Sequence, residues 1–141
     1  MINFQTELEY RAYDEPELKS HYVAAGTSYG FDYYVVNLGG SHPCAYVVLH
    51  KGHVFNGVPY DDIPVKCHGG LTYGANELRG VKLEDGEYVV GWDYAHYGDF
   101  IAGMDICGNG DFTPKQWTTS EIVDEVLDVC KQLRELNDKE G

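Results

Sequence analysis

Thr118-Thr119-Ser120-Glu121-Ile122-Val123-Asp124-Glu125-Val126-Leu127-Asp128-Val129-Cys130-Lys131-Gln132-Leu133 is the stretch on which the fold class turns. Thr118, followed three residues later by Glu121, has the form of a capping box, in which each side chain accepts a hydrogen bond from the other residue's backbone N–H. Ile122, Val123, Val126, Leu127, Cys130 and Leu133 then recur at helical spacing, while Asp124, Glu125, Asp128 and Glu135 fall on the outer side. The pattern predicts one amphipathic helix of roughly 18 to 20 residues. Such a helix needs an apolar surface to lie on, and the rest of the chain reads as strands.

From Ile2 to Ala12 apolar and polar residues alternate: Ile2, Phe4, Thr6, Leu8, Tyr10 and Ala12 share one side, as expected of a half-buried strand. Short β-prone runs follow at His21–Ala24, Asp32–Leu38, Cys44–His50 and Glu87–Tyr94. Gly39-Gly40, Asn56-Gly57, Gly69-Gly70 and Asp85-Gly86 lie between or beside them and suit tight turns. The expected fold is therefore α+β: one domain over residues 1–141, an antiparallel sheet with glycine-rich loops and a C-terminal amphipathic helix packed on it.

Ten Lys and Arg stand against 23 Asp and Glu, a formal charge of −13. That balance opposes direct binding to nucleic acid or to anionic membranes and leaves a basic partner open. Solubility accounts for it most simply; the sharper account is a surface that occupies the nucleic-acid channel of another protein. The first residues lack the basic and apolar regions of a signal peptide, and no segment reaches the ~18 apolar residues of a membrane span. A cytoplasmic location is expected. Cys44, Cys67, Cys107 and Cys130 are far apart, with no C-x-x-C pair, which points to reduced and mostly buried thiols.

Fourteen of the 17 glycines fall between Gly39 and Gly110, and five of the six histidines between His42 and His96. Loops of this kind, held on a rigid sheet, are where function concentrates. Within Gly91-Trp92-Asp93-Tyr94-Ala95-His96-Tyr97-Gly98-Asp99-Phe100, strand periodicity puts Asp93 at a strand end with His96 and Asp99 in the turn that follows. A carboxylate beside an imidazole can set its tautomer and basicity, or the turn can simply be a hydrogen-bonded corner. In Cys67-His68-Gly69-Gly70-Leu71-Thr72-Tyr73-Gly74 the paired glycines allow close backbone approach, and successive N–H groups there could form a nest for an anion. Thr72 and Tyr73 add hydroxyls. Tyr60, Tyr73, Trp92, Tyr94 and Tyr97 lie near these turns, and flat rings beside backbone donors suit a nucleobase or nicotinamide-like ring, although core packing explains many such rings. Cysteine catalysis by Cys44 or Cys67 with His42 or His68, and a divalent metal on His68, Asp93, His96 and Asp99, are weaker readings, because neither a named oxyanion hole nor a recognised metal spacing accompanies them.

The order H-P-C-A-Y-V, G-V-P-Y-D-D, H-G-G-L-T-Y and G-W-D-Y-A-H-Y-G-D, ending in a capped helix, resembles a family of small proteins encoded by phages, prophages and their hosts. The resemblance runs from about His42 to the end of the chain, and its most specific parts are His68–Tyr73 and Gly91–Asp99. What it implies is a setting, an accessory protein of a mobile element, and by class the antagonism of host defence, through sequestering a nucleotide signal or blocking a nuclease complex. It implies no particular activity.

The leading expectation is a binding protein for a small polar, nucleotide-like ligand, with His68, Gly69, Gly70, Thr72 and Tyr73 as one wall and Trp92, Asp93, Tyr94, His96 and Asp99 as the other. Arg79 is the natural phosphate partner. No cofactor is expected, and a homo-oligomer is possible. The alternatives are a hydrolase in which His96 or a metal activates water with Asp93 as orienter, and an acidic inhibitor of a nucleic-acid-binding defence complex.

Overall fold

The computed structural model describes residues 22–38, 42–78, 81–94 and 117–140. The alternating stretch Ile2–Ala12, the Gly39-Gly40 turn, and Arg79, His96, Asp99 and Cys107 lie outside the described residues. Five strands, β1 (Tyr22–Ser28), β2 (Phe31–Leu38), β3 (His42–Leu49), β4 (Tyr73–Ala75) and β5 (Tyr88–Asp93), precede one helix, α1 (Thr119–Glu140). The strands form a single antiparallel sheet in the order β1-β2-β3-β5-β4. This is the α+β arrangement that the helix stretch and the β-prone runs led to.

The period of two sorts the strands' side chains. Phe31 and Val35 of β2, Ala45, Val47 and Leu49 of β3, and Tyr88, Val90 and Trp92 of β5 share a core with α1. From α1 come Ile122, Val126, Val129, Cys130 and Leu133, every one of them 0% exposed. Burying such a side chain contributes about 1.5–3 kcal/mol relative to leaving it in water, which fixes the helix on the sheet. On the reverse face Val48, Val89 and Leu78 make a second, smaller cluster, with Tyr34, Tyr46 and Tyr73 packed around it. Covering both faces explains why β3 and β5 read as continuous apolar runs instead of alternating ones.

Gly91 lies opposite Tyr46 on one side and Tyr73 on the other. The Tyr46 ring occupies the space that a Cβ at Gly91 would need, and that Cβ would also stand 2.7 Å from the Ala45 carbonyl oxygen. Between β1 and β2 the chain reverses through Tyr29 and Gly30, with φ of 52° and 85°. Two successive positive φ values are the mark of a two-residue hairpin turn whose twist matches its strands. Sequence reading passes over it because tyrosine is an unusual first residue for such a turn.

The capping box of α1 forms as expected: the Glu121 N–H donates to Thr118 Oγ1 at 3.1 Å, and the Thr118 N–H to Glu121 Oε1 at 3.0 Å. The helix runs to 22 residues, somewhat longer than its spacing predicts. Asp124, Asp128 and Glu135 are exposed, but Glu125 is not on the outer face where the pattern put it. It points toward the end of β5, and the site is built on it.

Candidate functional site

The described part of the second motif, Gly91–Tyr94, meets the His68–Tyr73 motif in space. The Thr72 N–H donates to the Gly91 carbonyl at 2.9 Å, and Thr72 Oγ1 donates to Asp93 Oδ2 at 3.2 Å. The His68 ring stacks on Tyr94 with centroids 4.8 Å apart and planes 7° from parallel. Trp117, which directly precedes the capping box, completes the cluster, its ring 4.9 Å from His68 and 5.0 Å from Tyr94. Past the end of β5 the Tyr94 N–H donates to the Pro43 carbonyl at 3.0 Å, which fixes the phenol's approach. Three separate parts of the chain thus contribute one ring each.

Behind the rings lies a chain of hydrogen bonds. Trp92 Nε1–H donates to Tyr94 Oη at 3.1 Å, the Tyr94 hydroxyl donates to Glu125 Oε1, and Glu125 Oε2 accepts the His68 N–H at 2.8 Å. Burial and the bond to Glu125 push the Tyr94 phenol far above its usual range, so it keeps its proton. Trp92 and Tyr94 are 1% and 0% exposed. Tyr94 backs the His68 ring and Trp92 holds Tyr94 from the core, while His68 and Trp117 are each half-buried.

Gly69 and Gly70 have φ of 69° and 80°, which is why this turn needs glycine. The expectation of a nest open to an external anion is corrected here for two of its donors. The Gly70 N–H returns to the Cys67 carbonyl at 3.0 Å, and the His68 N–H is taken by Glu125. The anion held at His68 is the chain's own carboxylate.

Not all of the expected site residues gather on one side. Tyr73 belongs to the reverse-face cluster, where it packs edge-on against Tyr46 at 5.3 Å and donates its hydroxyl to the Glu77 carbonyl at 2.6 Å. Asp93 alternates to that face as well, opposite Cys44 on β3 and tied to Thr72 at the sheet margin. His68, Gly69, Gly70, Thr72, Trp92, Asp93 and Tyr94 therefore wrap the end of β5, and Tyr73 stands apart from the His68 ring. Sequence reading missed Trp117 and Glu125. The second had a signal: position 125 is three residues after Ile122 and four before Val129, so a carboxylate occupied the spacing of the core stripe.

The segment before His68 is tied to α1 by side chains. The Gln132 amide makes a two-bond pair with Lys66, accepting its N–H and donating to its carbonyl, both at 2.8 Å. Further back the Val54 N–H donates to Asn137 Oδ1 at 2.9 Å.

The thiols near the site are held protonated. Burial, aided by Glu125, pushes Cys67 up to about 12, and burial pushes Cys44 up to about 11. Such thiols are poor nucleophiles at neutral pH, which weighs against the cysteine-catalysis reading. Among the described residues no group of three or more His, Cys, Asp or Glu side chains is placed to hold a metal ion. No described helix is long and apolar enough to cross a membrane. No family model matches the chain, and no curated relative or solved structure matches it either.

Proposed function

We propose that the protein binds a small polar, nucleotide-derived molecule at the His68–Thr72 turn and holds it without turning it over. The observation that carries this reading is the joining of that turn to the end of β5: His68 on Tyr94, Thr72 on Gly91 and Asp93, and the His68 N–H on Glu125. A turn fastened at so many points is preorganised, and preorganisation lowers the ordering cost of binding. The His68 and Trp117 rings offer flat, polarisable surface to a planar ring, worth about 1–3 kcal/mol per stacked base. Asp93 and Glu125 bring negative charge, and two of the turn's N–H groups are already engaged, so the contact here is with a nucleobase or nicotinamide-like ring and not with a phosphate chain. Thiols that stay protonated favour binding over covalent chemistry. In the setting that the sequence resemblance implies, a phage or prophage accessory protein, retention of this kind would sequester a nucleotide immune signal.

The test is to incubate the protein with cyclic and ADP-ribose-type nucleotides, remove free ligand, denature by heat and analyse what is released. Intact nucleotide is expected, with retention reduced about fivefold or more in His68→Ala, as the loss of one stacking contact requires. A chemically altered nucleotide would establish turnover instead, and retention of none of them would overturn the proposal.

A further inference from the structure

The segment from His53 to His68 has no strand of its own, only a single 3₁₀ turn at Tyr60–Asp62, and α1 side chains satisfy several of its backbone groups. At its start the relation is reversed: a side chain of the segment engages the helix backbone. His53 is 3% exposed, with Nε2 lying 3.1 Å from the Leu133 carbonyl oxygen and Nδ1 accepting the Phe55 N–H at 3.0 Å. A carbonyl only accepts and an N–H only donates. Nε2 therefore carries the hydrogen and Nδ1 carries none, so the ring is neutral with both nitrogens engaged. We propose that this segment is a strap with an acid-sensitive fastening, and that protonation of His53 releases its leading end from α1.

The geometry leaves a second proton no place. It would sit on Nδ1, facing the Phe55 N–H, and would break the bond that shapes the turn. The charge would lie against Phe31, 5.5 Å away, and Phe55, 6.0 Å away, neither of which can solvate it. Among the described residues facing His53, His50 of the same turn, its ring 5.5 Å away, is the titratable group whose charge bears on it. β2 presents the uncharged Phe31, and α1 presents the Leu133 carbonyl and, beside it, the Asn137 amide that holds Val54. Burial holds the imidazole below the ordinary histidine range, the bond to Leu133 opposes that shift, and His50 adds to it. The sign follows: the fastening is fully present above the ordinary histidine value of about 6.5 and is lost as pH falls below it toward the lowered native value.

Amide exchange of the full chain, measured by mass spectrometry at pH 7.5, 6.5 and 5.5 and corrected for intrinsic rates, tests the proposal. Residues 53–58 and the facing 133–137 are expected to lose protection by about tenfold per pH unit below about 6.5, because opening then takes up one proton. β3 and β5 should keep theirs. His53→Gln keeps a donor for Leu133 and cannot titrate, so its protection should not respond to acid, whatever its starting level; His50→Asn should retain the response. Unchanged protection between pH 7.5 and 5.5 in the parent chain, or the same acid loss in His53→Gln, would overturn the proposal. Should that variant fail to fold, nitrogen spectra of the histidine rings in the parent chain decide. His53 protonation that coincides with the exchange change supports the strap, and titration at the ordinary value without any such change refutes it.

Discussion

Replacing Glu125 by glutamine tests whether one carboxylate holds the site together. Its two oxygens accept from two different donors, the Tyr94 hydroxyl and the His68 N–H. A glutamine has one oxygen to give. If that oxygen takes the His68 N–H, the amide nitrogen faces Tyr94 Oη, which already accepts from Trp92 Nε1–H, and the phenolic hydrogen loses its acceptor. If the oxygen takes the phenol, two N–H groups oppose each other at His68. Either orientation leaves at least one donor unsatisfied, at a cost of about 1–3 kcal/mol. With a denaturant slope of about 2 kcal/mol/M, the urea midpoint should fall by about 0.5–1.5 M. Tryptophan emission follows the transition, and Trp92 and Trp117 both report from this region. Tyr94→Phe removes the conflict, since the amide oxygen can then serve His68 alone. In that background Glu125→Gln should cost at least about 0.5 kcal/mol less than in the parent chain, a non-additivity of the size expected for residues in one network. A Glu125→Gln variant within about 0.5 kcal/mol of the parent, or a cycle in which the two changes simply add, would refute the shared-acceptor argument.

Two further outcomes follow from geometry already described. Gly91→Ala drives a methyl into the Tyr46 ring and to within 2.7 Å of the Ala45 carbonyl, and it should destabilise by about 1–3 kcal/mol in the same urea assay. Site-resolved alkylation by iodoacetamide at pH 8 should modify Cys44 and Cys67 of the folded chain about a hundredfold to a thousandfold more slowly than after unfolding, because thiols raised to about 11 and 12 are almost wholly protonated there.

What could be read from the sequence was what neighbours along the chain decide. The capping box at Thr118 and Glu121, the stripe from Ile122 to Leu133, and the cores of β2, β3 and β5 rest on local period and local hydrogen bonding. β4 escaped notice because it is three residues long with a glycine at its centre, and only the pairing with Val89–Gly91 makes it a strand. The His68-Gly69-Gly70 turn was legible as a turn. That its N–H would be filled by Glu125, 57 residues later, was not, because the helix spacing shows at most that Glu125 faces inward and not which turn it meets. His53 carried no local signal, because its role depends on a carbonyl 80 residues away.

Those separations carry a meaning for the order in which the molecule is made. The strap's partners on α1 lie 57, 66, 80 and 83 residues downstream of the groups they hold. During synthesis β2 and β3 can pair as soon as both have emerged, but the strap has nothing to fasten to until the helix leaves the ribosome. Closing loops of such length before any contact rewards them is slow, so the His68 turn is expected to be among the last parts of the chain to take its final shape. A nascent chain stalled before Thr119 would carry both sequence motifs and still lack the assembled site.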